Sequence, residues 1–274
     1  MRLKITHETS YRYATPASRA IQVVRLTPRG HDGQFMVNWR IEVDRDCRLS
    51  ATTDPFGNTV HSFTVEGPLA SLLITATGEV ETQDLGGIVR SQIEPLPPGI
   101  FLRETSLTVA DHAIRDFAAA TLAEAKGDRL SFLHRLMHDL HGRMRFEVDA
   151  ANTGTSASQA FSAGHGVCQD FAHIFIAASR HLGIPARYVS GYLFRGEHPD
   201  EPGAVHAWAE ALVDGIGWIG FDPACDICPI ESHVRLAVGL DYLGAAPVRG
   251  TRQGGTGEEL ELRVLVTHPE RGAR

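Results

Sequence analysis

The sequence predicts an α+β protein: an N-terminal antiparallel β-sandwich over residues 1–94, then a core of helices packed on an antiparallel sheet over residues 95–274. Three observations carry this reading. Apolar residues alternate in period two up to residue 92. A proline-rich stretch, IEPLPPGI at 93–100, interrupts them, and beyond it apolar residues recur at three- and four-residue spacing.

In the first part Leu3, Ile5, Tyr11 and Tyr13 share one parity, as do Phe35, Val37, Trp39, Ile41 and Val43, with Asn38, Arg40 and Glu42 between them. Turn signals such as DPFGN at 54–58 separate the alternating runs, which is the texture of a sandwich. Pro95, Pro97 and Pro98 can continue neither a helix nor an inner strand, so they mark a stiff linker and the domain boundary. After it, Leu133, Leu136, Met137 and Leu140 form one helical stripe that Gly142 stops, predicting a helix over 129–141. The polar stretch VDAANTGTSASQAFSAGHG at 148–166 reads as a loop. In CQDFAHIFIAASRHLG at 168–183, Phe171, Ile174, Phe175, Ala178 and Leu182 share a stripe, which predicts a second, buried helix opened by Cys168. Strand-like segments follow at 186–194, 204–213 and 217–221. The last, ELELRVLV at 259–266, alternates Leu260, Leu262, Val264 and Val266 with charges. The glycine-rich RGTRQGGTGEE at 249–259 reads as a mobile segment placed to overhang a cleft, and the tail THPERGAR as mobile too.

Bulk properties exclude several function classes. With 274 residues and 43% hydrophobic content the chain can bury a sizeable core in one large or two moderate domains. A net charge of −7 without a basic stripe argues against nucleic acid as a partner. The apolar runs are too short to span a bilayer. MRLKITHETSYRY at the N-terminus reads as a strand and lacks the features of a secretory signal, so a cytoplasmic location is expected. Four cysteines, Cys47, Cys168, Cys225 and Cys228, are too sparse for a disulfide scaffold.

Cys168 sits where chemistry is possible. N–H groups at a helix start lack internal partners and carry partial positive charge, which favours a thiolate and offers donors to an oxyanion. By itself the position suits a packed core residue equally well, since free cysteines are often buried. A nucleophilic thiol needs a base with an orienting group. On AVHAWAEALV, His206, Trp208 and Glu210 share one face and Ala207, Ala209 and Ala211 the other, small enough for a helix to pack closely. Asp222 ends the next strand before Pro223, placed to accept the Nδ1–H of His206. The hairpin between them makes this specific. A two-residue loop would set Asp222 opposite Ala207, on the wrong face. A three-residue loop, Asp214 to Ile216, sets it opposite Trp208, on the face of His206, so an odd-length loop or a bulge is predicted.

The blocks GHGVCQDFAHIFIAASRHLGIPARYVSGYL, HAWAE and GWIGFDPA resemble the transglutaminase-like superfamily of papain-type cysteine enzymes. YRYATPASRAIQVVRLTPR resembles the β domain that precedes this core in bacterial members. The resemblance covers nearly the whole chain. It implies Cys168 as nucleophile, His206 as base and then acid, and Asp222 as orienter. The implied chemistry is acyl transfer through a thioester, on a peptide or protein substrate with an amide or isopeptide bond. Hydrolysis is favoured over transamidation to an amine, and a non-catalytic peptide-binding module is the third reading. Gly166, Gln169 and Trp208 are the substrate-binding candidates. Phe146 stands where related bacterial sequences have tyrosine, and a phenyl ring cannot donate to an oxyanion. Calcium is not expected, because no acidic loop is visible, and neither is any other cofactor.

The remaining candidates read more plainly. Cys225 and Cys228 with His233 offer three zinc ligands, but a closed site needs a fourth, so two small loop residues are the preferred reading and a dithiol switch an alternative. Asp170 complements the helix dipole. His134, His138 and His141 lie on a solvated helix face, and His165 lacks an orienting partner. Trp39 belongs to the first core and Trp218 flanks the Asp222 strand.

Overall fold

The structure, a computed structural model, describes residues 1–90, 94–147, 154–196 and 205–269. The chain begins with β1 (Arg2–Val24), β2 (Gln34–Val43), β3 (Ser50–Thr53), β4 (Thr59–Thr82) and the short β5 (Ile88–Val89). A 3-10 turn at Pro98–Leu102 leads to α1 (His112–Glu124), α2 (Arg129–Arg143), β6 (Arg145–Phe146), α3 (Ala157–Ala163), β7 (His165–Gly166) and α4 (Cys168–His181). Then come β8 (Ala186–Leu193), β9 (Val205–Val213), β10 (Gly217–Phe221), β11 (His233–Gly239), α5 (Tyr242–Ala245) and β12 (Val248–Thr267). Among the described residues no helix is long and apolar enough to cross a membrane.

Two antiparallel sheets organise these elements. The first runs β12-β1-β4-β2, with β3 also on β4; the second runs β11-β8-β9-β10-β5. In β1 the period-two pattern holds, and Leu3, Ile5, Tyr11 and Tyr13 are buried. In β2 it breaks: a register shift between Met36 and Asn38 leaves Phe35 and Val37 exposed, while Trp39, Ile41 and Val43 pack on the core.

The linker is no free spacer, and the chain crosses the 94/95 boundary in both directions. β12 pairs with β1 along its whole length, and β5 pairs with β10. Tyr192, Val234 and Leu236 of the second sheet join the core of the first. The edge strand β11 is closed by side chains that imitate a neighbouring strand. The Gln34 amide donates to the Arg235 carbonyl and accepts from the Arg235 N–H, both at 2.7 Å. Asn58 does the same to Val238 at 2.7 and 2.8 Å. These contacts satisfy backbone groups that an edge otherwise leaves open.

Two segments depart from their sequence reading. Residues 249–259 are strand rather than a loop over the cleft, because ladder bonds need only backbone groups; Gly254, Gly255 and Gly257 supply the positive φ beside the bend of β1. In the same strand Leu260 and Leu262 are exposed, and only Val266 of the alternating set is buried. The segment 154–166 contains α3, too short for apolar periodicity to reveal, but announced by a capping box between Ser156 and Gln159. Residues 148–153 lie outside the described residues.

β9 is the spine of the second sheet. Its Ala207, Ala209 and Ala211 lie in the core beneath α4, as the small-residue face predicts, and α4 ends at Gly183 with φ +73°. On the opposite face Glu210 is fully buried between two arginines. Arg187 Nε donates at 2.6 Å, and Arg235 donates through Nε at 2.6 Å and Nη2 at 3.0 Å. Burial alone would raise the Glu210 pKa, but the two guanidiniums overcome it and hold it at about 2. Arg187 also lies over the Trp218 ring, 3.9 Å from its centroid, and pairs with Glu94 at 2.8 Å, which docks the linker.

Candidate functional site

The hairpin decides whether the site exists. Val213 pairs with Gly217 and Ala209 with Phe221, so the loop has three residues, and Asp222 falls on the face of His206. Gly215 makes the turn at φ +79°. His206 Nε2–H donates to Asp222 Oδ2 at 2.5 Å, with both side chains almost completely buried. This corrects the sequence expectation, which had Nδ1 as the donor. Nδ1 is buried with no hydrogen-bond partner among the described residues.

Cys168 opens α4 as expected. Burial alone would lower the His206 pKa, but the Asp222 carboxylate outweighs it and the Cys168 and Cys225 thiols add to its effect, so the ring holds its proton well above the usual histidine range. Asp222 is held well below the carboxylate range: burial opposes this, and His206 followed by His233 overcomes it. Val167, before the helix, donates its N–H to Asp170 Oδ2 at 2.9 Å, so Asp170 caps the helix as well as complementing its dipole. Burial raises the Asp170 pKa, partly offset by that N–H.

Sequence reasoning missed the role of His233. Ile230 N–H donates to His233 Nδ1 at 3.2 Å, so that nitrogen carries the lone pair and Nε2 the hydrogen. Nε2–H then donates to Asp222 Oδ2 at 3.2 Å. Asp222 Oδ1 accepts from the N–H groups of Ala224 at 3.1 Å and Cys225 at 3.3 Å. The carboxylate is thereby fixed from four sides, and His233 does not join Cys228 as a metal ligand. Its only signal in sequence was a histidine eleven positions past Asp222, which does not reveal a partner. Under the catalytic reading proposed below, His233→Ala is expected to slow turnover about 10- to 100-fold, the worth of one hydrogen bond to a charged group. Steady-state kinetics on a purified, folded variant checks this.

The substrate-binding candidates Trp208, Gly166 and Gln169 are all buried. Trp208 is 2% exposed and packs with Val189, Val238 and Phe56, its ring 6.3 Å from that of His206 and 5.4 Å from that of His233. Gly166 is buried because the Asp170 carboxylate occupies the space of a side chain: an added Cβ would meet Asp170 Oδ2 at 2.6 Å. Gln169 is also buried. Phe146 is half exposed, with its ring 6.5 Å from that of Phe171. His134, His138 and His141 are exposed, as a solvated helix face requires, and the structure adds partners that the sequence did not show. His138 donates to Asp226 at 2.8 Å and His141 to the Pro223 carbonyl at 3.2 Å, so this helix face clasps the loop after Asp222. His165 has Glu147 as an ionic neighbour at 3.3 Å.

Comparison with known proteins gives the family of both parts of the chain. Residues 3–81 match the bacterial transglutaminase-like N-terminal region, and residues 115–223, which span Cys168, His206 and Asp222, match the transglutaminase-like superfamily. An uncharacterized protein of Mycobacterium leprae is 31% identical over 97% of this chain and 98% of its own. One of Mycobacterium tuberculosis is 27% identical over 91% of this chain and 87% of its own. A solved structure from Cytophaga hutchinsonii, described as a candidate cysteine protease, has the same fold: TM-score 0.77 at 20% identity, covering 100% of this chain and 92% of that one. The chain belongs to the transglutaminase-like superfamily of cysteine enzymes, in the bacterial form with its own N-terminal region.

Proposed function

We propose that the protein is a thiol-dependent acyl-transfer enzyme that cleaves an amide or isopeptide bond in a peptide or protein. The observation that carries this is the His206–Asp222 pair, bonded through Nε2 so that Nδ1 is left to serve a cysteine at a helix start. The Cys168 thiol gives its proton to Nδ1, and the thiolate attacks the substrate carbonyl. The resulting oxyanion is met by the N–H of Cys168, which as the first helical residue has no partner within the helix. His206 then protonates the departing amine, leaving a thioester. Water, deprotonated by His206, attacks the thioester and releases the acid and the free thiol.

Iodoacetamide at near-neutral pH tests the first half. Cys168 is expected to react faster than glutathione, with loss of all turnover in step with its modification. A rate no faster than glutathione favours a non-catalytic binding module. The second half is tested on a peptide library with and without a primary amine. Release of free acid in both conditions supports hydrolysis, and amine incorporation with little hydrolysis identifies a transamidase.

A further inference from the structure

The Cys225 thiol has no task in that chemistry, yet it stands at the centre of the site. Its Sγ lies 3.8 Å from His206 Nε2, and His206, Asp222 and Cys225 each bring one ligating atom within 4.8 Å of the others. Zinc bonds of about 2.0–2.1 Å to nitrogen and about 2.3 Å to sulfur put tetrahedral N and S ligands roughly 3.5 Å apart, close to the spacing observed. Tetrahedral N and O ligands lie roughly 3.3 Å apart. The His206–Asp222 contact of 2.5 Å must therefore open, but by less than about 1 Å. Thiolate, imidazole and carboxylate form a donor set suited to a borderline-soft dication. Around them, His233 Nε2–H and the N–H of Ala224 already orient the carboxylate, as outer partners do in metal sites. Cys225 is half-buried, so the site is open from its side.

We propose that His206, Asp222 and Cys225 form a Zn2+ site, and that filling it reversibly shuts the acyl-transfer reaction. The regulatory part rests on the proposed role of His206; the binding does not. One Zn2+ displaces the Nε2 proton of the imidazolium and the thiol proton of Cys225, and both pass to solvent. The ring is left neutral with its hydrogen on Nδ1, where it can no longer accept a proton from Cys168. This is not the ligand set that the CxxC spacing suggests, because His233 is engaged with Asp222 and Ile230, and Cys228 packs on the core.

Cobalt(II) titration of the metal-free protein tests this, since a thiolate on Co2+ gives a charge-transfer band in the near ultraviolet. The band is expected in wild type, in Cys168→Ala and in Cys228→Ser, to be lost in Cys225→Ser and Cys225→Ala, and to be displaced by Zn2+. Zn2+ binding is expected to weaken roughly tenfold or more in Cys225→Ser, at least the effect of losing an outer partner. Zn2+ inhibition of turnover is expected to be reversed by a chelator and to shift to correspondingly higher Zn2+ in that variant. No thiolate band in wild type, or wild-type affinity in both Cys225 variants with native circular dichroism, overturns the site. A band lost in Cys168→Ala and retained in Cys225→Ser overturns it too. Binding as described in a protein that turns over no amide supports the metal site and counts against the catalytic reading alone.

Discussion

Asp222→Asn is expected to lower the acyl-transfer rate constant about 10⁴-fold while the fold persists, the scale of loss when a buried aspartate behind a catalytic histidine is neutralised. Asparagine fills the same volume and keeps an oxygen for the backbone N–H groups of Ala224 and Cys225, but it has no charge to hold a proton on His206. The pH dependence follows from the same pair. The His206 pKa is raised, so its contribution to stability is full below the unfolded value of 6.5 and is lost as pH rises through the folded value. The Asp222 pKa is depressed, so its contribution is present above the unfolded value of 3.8 and is lost as pH falls through the lower folded value. In Asp222→Asn the ring titrates at lower pH, and the alkaline limb of the turnover profile, where the general acid is lost, moves down with it. Turnover measured across pH checks both expectations. A loss of less than tenfold, with the alkaline limb unmoved, removes Asp222 from the mechanism.

Glu210→Gln is expected to destabilise the protein by about 3–5 kcal/mol, because it leaves Arg187 and Arg235 charged and buried without their shared counter-ion. For a chain of this size that corresponds to a fall in Tm on the order of 10 °C. The wild-type pH dependence has the opposite sign from that of a histidine. The Glu210 pKa is lowered from 4.5 to about 2, so its stabilisation is present above pH 4.5 and is lost as pH falls toward 2. Thermal melts between neutral and acid pH check this. Apolar replacement of all three residues together is expected to recover much of the loss, since a buried ion cluster that is removed whole leaves no orphaned charge. A melting temperature unchanged in Glu210→Gln would mean that water already reaches the arginines.

By itself the sequence determined the elements whose information is local. The stripe Phe171, Ile174, Phe175 and Ala178 made α4 and put Cys168 at its start. The alanine face of β9 marked where α4 packs. Parity across the hairpin foresaw that only an odd loop brings Asp222 to the face of His206, and the three-residue loop is there. Neighbours along one helix, or across one tight turn, constrain each other through backbone geometry that spacing records.

Tertiary structure decided everything that depends on residues far apart in the chain. Which imidazole nitrogen meets Asp222 depends on how β9 and β10 orient the two side chains in the assembled sheet, and it is Nε2. The hydrogen on His233 Nε2 depends on an N–H supplied by Ile230. Arg187 and Arg235 meet Glu210 from two other strands, and nothing in their spacing marks them as partners. β12 returns to β1 through ladder bonds that a glycine-rich segment makes as well as an apolar one. Backbone hydrogen bonds and buried charge pairs carry no periodicity, so only the assembled fold reveals them.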